Sequence, residues 1–329
     1  MTVQPQPASD SPLAPTGPLT PGDLLDRAFR LYRSRLGLFL LTGAVLFIPL
    51  ALVSGFFLDR FFASYMQTLE ALVREPPRTE LDPFSFFSGL SGDFANMILV
   101  SLLLAAAGAI VYLSLTAQAV ATLRGGPLPL IAGLRRGANR LLPYVGMVVV
   151  QLAAIAAAAA VVLAPLLLVG IALLGFWVPF ARAGEGGIPA ALGIAGLAVC
   201  GYGLAFLLVL TPIVYLSARW FVAPAVLVVE RAGPIDALRR SWRLSRDNVL
   251  RMVGYLVALN ILEMVFMAVP LAALQYSTML MTSSTGLMLS LSTISSSLIT
   301  VVALPFFVAA LVLLYYDLRI RGNGYAPNP

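Results

Sequence analysis

A chain of 329 residues that is 60% hydrophobic and only 11% charged is not a soluble enzyme, because several of its apolar runs exceed the roughly 20 residues that cross a bilayer core. Its 21 basic residues are all arginine, it has 15 acids, and it contains no histidine and one cysteine, Cys200, so an intramolecular disulfide is excluded. Without histidine the commonest general base and zinc ligand are missing, and no Gly-x-Ser-x-Gly, phosphate-binding glycine loop or metal-spaced carboxylate cluster replaces them, so no catalytic residue, metal or cofactor is expected.

In chain order, residues 1–19 form a Pro-rich leader with no basic region running into an apolar one, which reads as disordered and not as a signal peptide. Residues 20–325 read as one all-α polytopic membrane domain, with six transmembrane helices at about 37–58, 94–118, 143–172, 189–217, 249–273 and 291–316. The apolar runs at 143–180 and 188–229 would each exceed about 50 Å as straight helices, and Pro165, Pro179, Pro212 and Pro224 are expected to break or bend them. The segment 59–93, containing LDPFSFFSGLSGDF, reads as a loop on the outer leaflet. The small residues of spans three and four, AAIAAAAA at 153–160 with Gly193, Gly196, Gly201 and Gly203, are expected to pack that hairpin closely.

Charge sorts the connections. Seventeen of the 21 arginines fall before span one, between spans two and three, between four and five, and after six, whereas the other three loops hold Arg60, Arg74, Arg78 and Arg182 among seven acids. The positive-inside rule then puts both termini in the cytoplasm.

The arginine segments also repeat. Setting Pro21 on Pro234 without gaps aligns PGDLLDRAFRLYR with PIDALRRSWRLSR, and GLRRGANRLLPYVGM supplies a weaker third copy. VYLSL at 111–115 likewise returns as VYLSA at 214–218, so the unit is an amphipathic helix followed by two spans, at about 20–121, 127–229 and 233–321. At 100° per residue Leu25, Phe29, Tyr32 and Leu36 share a stripe, as do Leu238, Trp242 and Val249, with the arginines opposite. Thr20-Pro21-x-Asp23 and Gly233-Pro234-x-Asp236 each supply a helix start. Such helices suit a membrane interface, one face in acyl chain and one among anionic headgroups. Arg27, Arg30, Arg33, Arg135, Arg136, Arg239, Arg240, Arg243 and Arg246 are therefore candidate anion or lipid-headgroup ligands, or else topology signals alone.

Glu263 in NILEMVFMAVP, with Asn260 one turn before it, is the one acid placed inside the hydrocarbon, which makes it a functional candidate by default. The plainer alternative is a neutral carboxyl hydrogen-bonded to Gln118, Gln151 or a hydroxyl of the STISSS run at 292–297.

ARWFVAPAVLVVERAGPIDALRRSWRLSRDN resembles the bacterial membrane-domain family named after glycerophosphoryl diester phosphodiesterase, and LTPGDLLDRAFRLYRSRLGLFL and LLYYDLRIRGNGY resemble that family's ends. The resemblance covers about residues 19–325. It implies a membrane anchor without the metal-dependent catalytic barrel attached in some members. Three readings follow. The first is a non-enzymatic, lipid-contacting scaffold or accessory subunit whose partners are anionic phospholipids or another protein, and not nucleic acid. The alternative is a transporter or channel using Glu263, and the third, an intramembrane lipid enzyme, lacks any nucleophile motif.

Overall fold

The structure, a computed structural model, describes residues 15, 17–74, 83–126, 128–182, 187–281 and 285–322. Six helices are long and apolar enough to cross a membrane: α2 (Leu36–Arg74), α3 (Pro83–Leu123), α5 (Leu141–Arg182), α6 (Gly187–Trp220), α9 (Val249–Met281) and α10 (Thr285–Gly322). Four short helices join them: α1 (Pro21–Ser34), α4 (Leu130–Asn139), α7 (Ala223–Val229) and α8 (Pro234–Leu244). The described chain has no strand, and the protein is an all-α polytopic membrane protein. Three times over, a short arginine-bearing helix (α1, α4, α8) precedes two long apolar ones.

The helix starts are local chemistry. At α1 the Thr20 hydroxyl oxygen accepts the Asp23 N–H at 3.2 Å while the Asp23 carboxylate accepts the Thr20 N–H at 3.3 Å, a closed capping box with Pro21 in the first turn. The Thr20 hydroxyl also donates to the Asp23 carboxylate at 2.6 Å, and this bond together with that from the Thr20 N–H holds the Asp23 carboxyl below its ordinary range. α8 opens on Gly233 and Pro234 with Asp236 in its first turn. At the end of α3, Gly125 adopts φ 80°, and the N–H groups of Gly126 and Gly125 bond back to Ala121 and Thr122 at 3.1 Å, so the glycine turns the chain sharply into α4.

The core is centred on α10, which packs along α2 and touches α3, while α2 lies along α3. In the most apolar stretch of α10, 61% of residues are buried; in that of α5 none is, and in those of α9 and the α6–α7 run only 6% are. The bundle is thus dense on one flank and open on the other.

The short helices lie at one end of the bundle, each against a long helix. α4 docks on α3 of the preceding pair, α8 docks on α5 and α7, and α1 docks on α10 of the last pair. The α1 contact is sealed by Asp317, fully buried, which accepts the Leu19 N–H at 2.7 Å and the Arg321 guanidinium at 3.0 and 3.1 Å. Arg321 also donates to the Leu19 carbonyl at 3.1 Å, and Arg251 donates to the same oxygen.

Several expectations are corrected. Most of the segment 59–93 is helix and not loop: α2 continues to Arg74, α3 starts at Pro83, and Asp93 ties the two helices by pairing with Arg60 at 3.3 Å and accepting the Ser64 hydroxyl at 2.7 Å, while residues 75–82 lie outside the described residues. Pro165, Pro179 and Pro212 sit inside continuous helices, as prolines in membrane helices can. The break falls instead at Phe221 and Val222, just before Pro224 enters α7. Gly196, Gly201 and Gly203 do not pack a hairpin, since a Cβ on any of them would meet nothing within 4 Å. The leader through residue 14 and the side chains of Gly193 and Cys200 lie outside the described residues.

Candidate functional site

Each short helix has a protein-facing and an outward apolar edge. α1 buries Leu24, Ala28 and Leu31, and α8 buries Ala237, Leu238 and Ser241. In α1 this packing face lies one residue round from the expected stripe, since Leu25, Phe29 and Leu36 stay exposed, whereas in α8 Leu238 of the stripe is itself buried. The small residues Ala28 and Ser241 explain the choice, because they let the helix backbone come close to its support. α4 carries this furthest. Gly133 and Gly137 face α3, where a Cβ at 133 would stand 2.6 Å from Gln118 Nε2 and one at 137 only 2.5 Å from the Ile110 carbonyl.

The candidate arginines divide by what already holds them. Arg30 pairs with Asp26 at 2.8 Å, Arg239 with Asp236 at 3.7 Å, and Arg240 with Glu230 at 3.5 Å. Arg33 lies over the Phe29 ring at 5.7 Å, and Arg27 is half-buried and engaged. Arg135, Arg136, Arg243 and Arg246 are exposed and make no ion pair among the described residues. Beside them are strongly exposed apolar side chains: Ile131, Leu142, Ile235 and Leu250. A guanidinium next to an outward isoleucine or leucine can hold a phosphate while the apolar group enters acyl chain.

Other charged groups are structural. Arg219, 7% exposed, lies 4.3 Å over the Trp242 ring and 5.6 Å from that of Tyr215, and its carbonyl accepts the Ser241 hydroxyl at 2.8 Å. Glu230 accepts the Tyr315 hydroxyl at 2.7 Å, joining the α7–α8 turn to α10. Arg219 and Glu230 are invisible as a lock in the sequence because Ser241 and Trp242 lie 22 and 23 residues from Arg219 and Tyr315 lies 85 from Glu230.

Glu263 lines a second feature, a cavity of about 330 Å³. It is bounded by Tyr112 of α3, Phe221 at the head of α7, Leu259 and Met267 of α9, and Leu304, Phe307 and Leu311 of α10, so all three helix pairs contribute. Its polar lining is Glu263, Asn260 and Thr300. The neutral partners expected for Glu263 are engaged elsewhere. Gln118 Nε2 donates to Thr42 at 3.0 Å, and Ser296 and Ser297 donate to the Thr293 carbonyl of their own helix at 2.9 Å. Among the described residues Glu263 has no hydrogen bond or ion pair, and it is exposed rather than sealed in protein. Asn260 donates to Leu256 O at 2.7 Å, which leaves its carbonyl oxygen as an acceptor.

The sequence matches the family described as a domain of unknown function (DUF7847) over residues 43–318. No curated protein and no solved structure matches it.

Proposed function

We propose that this chain, which belongs to the DUF7847 family, works as a lipid-contacting membrane scaffold or anchor subunit, with the short helices at one end of the bundle as its working face on the cytoplasmic side of a bacterial inner membrane. The observation that carries this reading is the set of four exposed arginines without acidic partners among the described residues: Arg135 and Arg136 on α4, Arg243 on α8 and Arg246 just past the end of α8, with both helices locked to the bundle. Each exposed arginine near an anionic surface adds on the order of 1 kcal/mol, and the neighbouring Ile131 and Ile235 add apolar anchorage. A shallow hollow of about 540 Å³ along Pro129 to Arg135 offers room for acyl chain beside the Arg135 guanidinium. An anchor role accords with the membrane-domain resemblance in the sequence. Native mass spectrometry of protein extracted in mild detergent tests it: wild type retains phosphatidylglycerol or cardiolipin, or a protein partner, and the fourfold Arg135→Gln, Arg136→Gln, Arg243→Gln, Arg246→Gln variant loses it. Equal retention by both would sink the proposal.

A second reading, transport of a cation, is favoured by one observation, the unpaired Glu263 on a cavity that all three helix pairs line. An intramembrane carboxylate is costly unless it is protonated, paired or wetted, and such groups mark ion and proton paths. Counterflow in proteoliposomes tests it, with flux abolished in Glu263→Gln.

A further inference from the structure

Two properties of the Glu263 cavity narrow what it can hold, and the first is size. At about 330 Å³ it is roughly ten times the 30 Å³ that a water molecule occupies in the liquid, and it falls at the lower end of small-molecule pockets. A bare inorganic ion would leave most of it unfilled.

The second is polarity. One Asn260 amide N–H is committed to Leu256 O at 2.7 Å and the Thr300 hydroxyl donates to Ser296 O at 2.7 Å, so the Asn260 carbonyl and the Thr300 hydroxyl offer oxygen lone pairs, as Glu263 does. The lining holds no arginine. The basic residue on α9, Arg251, is about 18 Å back along the helix axis and is occupied by Leu19 O and the Tyr255 hydroxyl. A ligand must therefore bring the positive charge itself. Around the three oxygens the walls are aromatic, from Tyr112, Phe221 and Phe307, and aliphatic, including the adaptable Met267. Aromatic faces with one carboxylate are the recognition chemistry of bulky organic cations.

We infer that the Glu263 cavity binds a lipophilic organic cation, an ammonium or phosphonium with apolar bulk. The inference deepens the transport reading and rests on the same carboxyl. A carboxylate facing hydrocarbon is unfavourable without a counter-charge, and the bound cation supplies it. α9 is little buried along its length, which leaves the mouth open toward the bilayer from which such a ligand partitions.

The test uses the full chain in mild detergent with tetraphenylphosphonium as probe, followed by equilibrium dialysis and calorimetry in weak buffer. Wild type binds it saturably, and Glu263→Gln weakens binding at least about tenfold. Met267→Trp, which keeps the carboxyl but fills the cavity, also weakens it. Absence of saturable binding by wild type, or affinity unchanged in either variant with an unaltered elution profile, overturns the inference. Sodium or proton flux that needs Glu263 but is indifferent to tetraphenylphosphonium overturns it while sparing transport. Binding lost in Glu263→Gln with no flux of the probe upholds it and removes transport.

Discussion

At Gly137 the choice of residue decides whether a whole helix can dock. A methyl there would stand 2.5 Å from the Ile110 carbonyl, a backbone atom that cannot swing aside. Gly137→Ala is therefore expected to lower the thermal midpoint in detergent, by overpacking worth about 1–3 kcal/mol, and to loosen α4 with its Arg135 and Arg136. Gly254→Ala is the control: its Cβ would meet nothing within 4 Å, so the midpoint stays level or rises. A Gly137→Ala protein as stable as the control would mean that α4 does not lie so close on α3. The GLRRG stretch shows how far single residues are legible. Its arginines stand out by charge, and their exposure follows; the two glycines flanking them, four apart, carry the docking signal and are easily passed over as mere helix weakeners. Glu263 is legible as an oddity, an acid in an apolar run, but its surroundings are not, because Tyr112 and Thr300 reach the same cavity from helices far away in sequence.

Among the elements, hydropathy locates all six long helices and charge locates the three arginine helices, since both properties are local. Their ends are another matter. α2 runs 39 residues, about 58 Å, where a span needs about 30 Å. The excess is helical because Asp59, Arg60 and Ser64 are compatible with helix and gain partners such as Asp93 across the hairpin, something a hydropathy window reads as the end of a span. Which helices form the core is equally hidden: α5 is as apolar as α10, yet the first is unburied in its apolar stretch and the second mostly buried. The packing of α10 on α2 predicts a chemical bridge. A Cβ at Gly55 would lie 3.6 Å from that of Ser290, within disulfide range. In a Cys200→Ser background, the pair Gly55→Cys and Ser290→Cys should oxidise within one chain, seen as two thiols lost to alkylation in intact mass. Two persistently free thiols would contradict that packing.

At the scale of the molecule, connectivity gathers the short helices at one end of the bundle, and their turns carry most of the arginine. Sidedness follows as a prediction. With Cys200 replaced by Ser, a membrane-impermeant maleimide should label Glu70→Cys on intact spheroplasts and Arg136→Cys only after permeabilisation; the reverse pattern would invert the orientation and move the arginine face away from the cytoplasmic leaflet. The clamp on Leu19 adds a constraint in time. Its N–H is held by Asp317, 298 positions later, and α1 rests on α10, so the helix made early waits for the one made late. At about 5–20 residues per second this delay is about 15–60 s, during which Leu24 and Leu31 lack their support. Biogenesis thus leaves α1 lying loose on the membrane surface until the last span arrives, and a ribosome stalled before Asp317 would hold the first five spans with α1 unlatched.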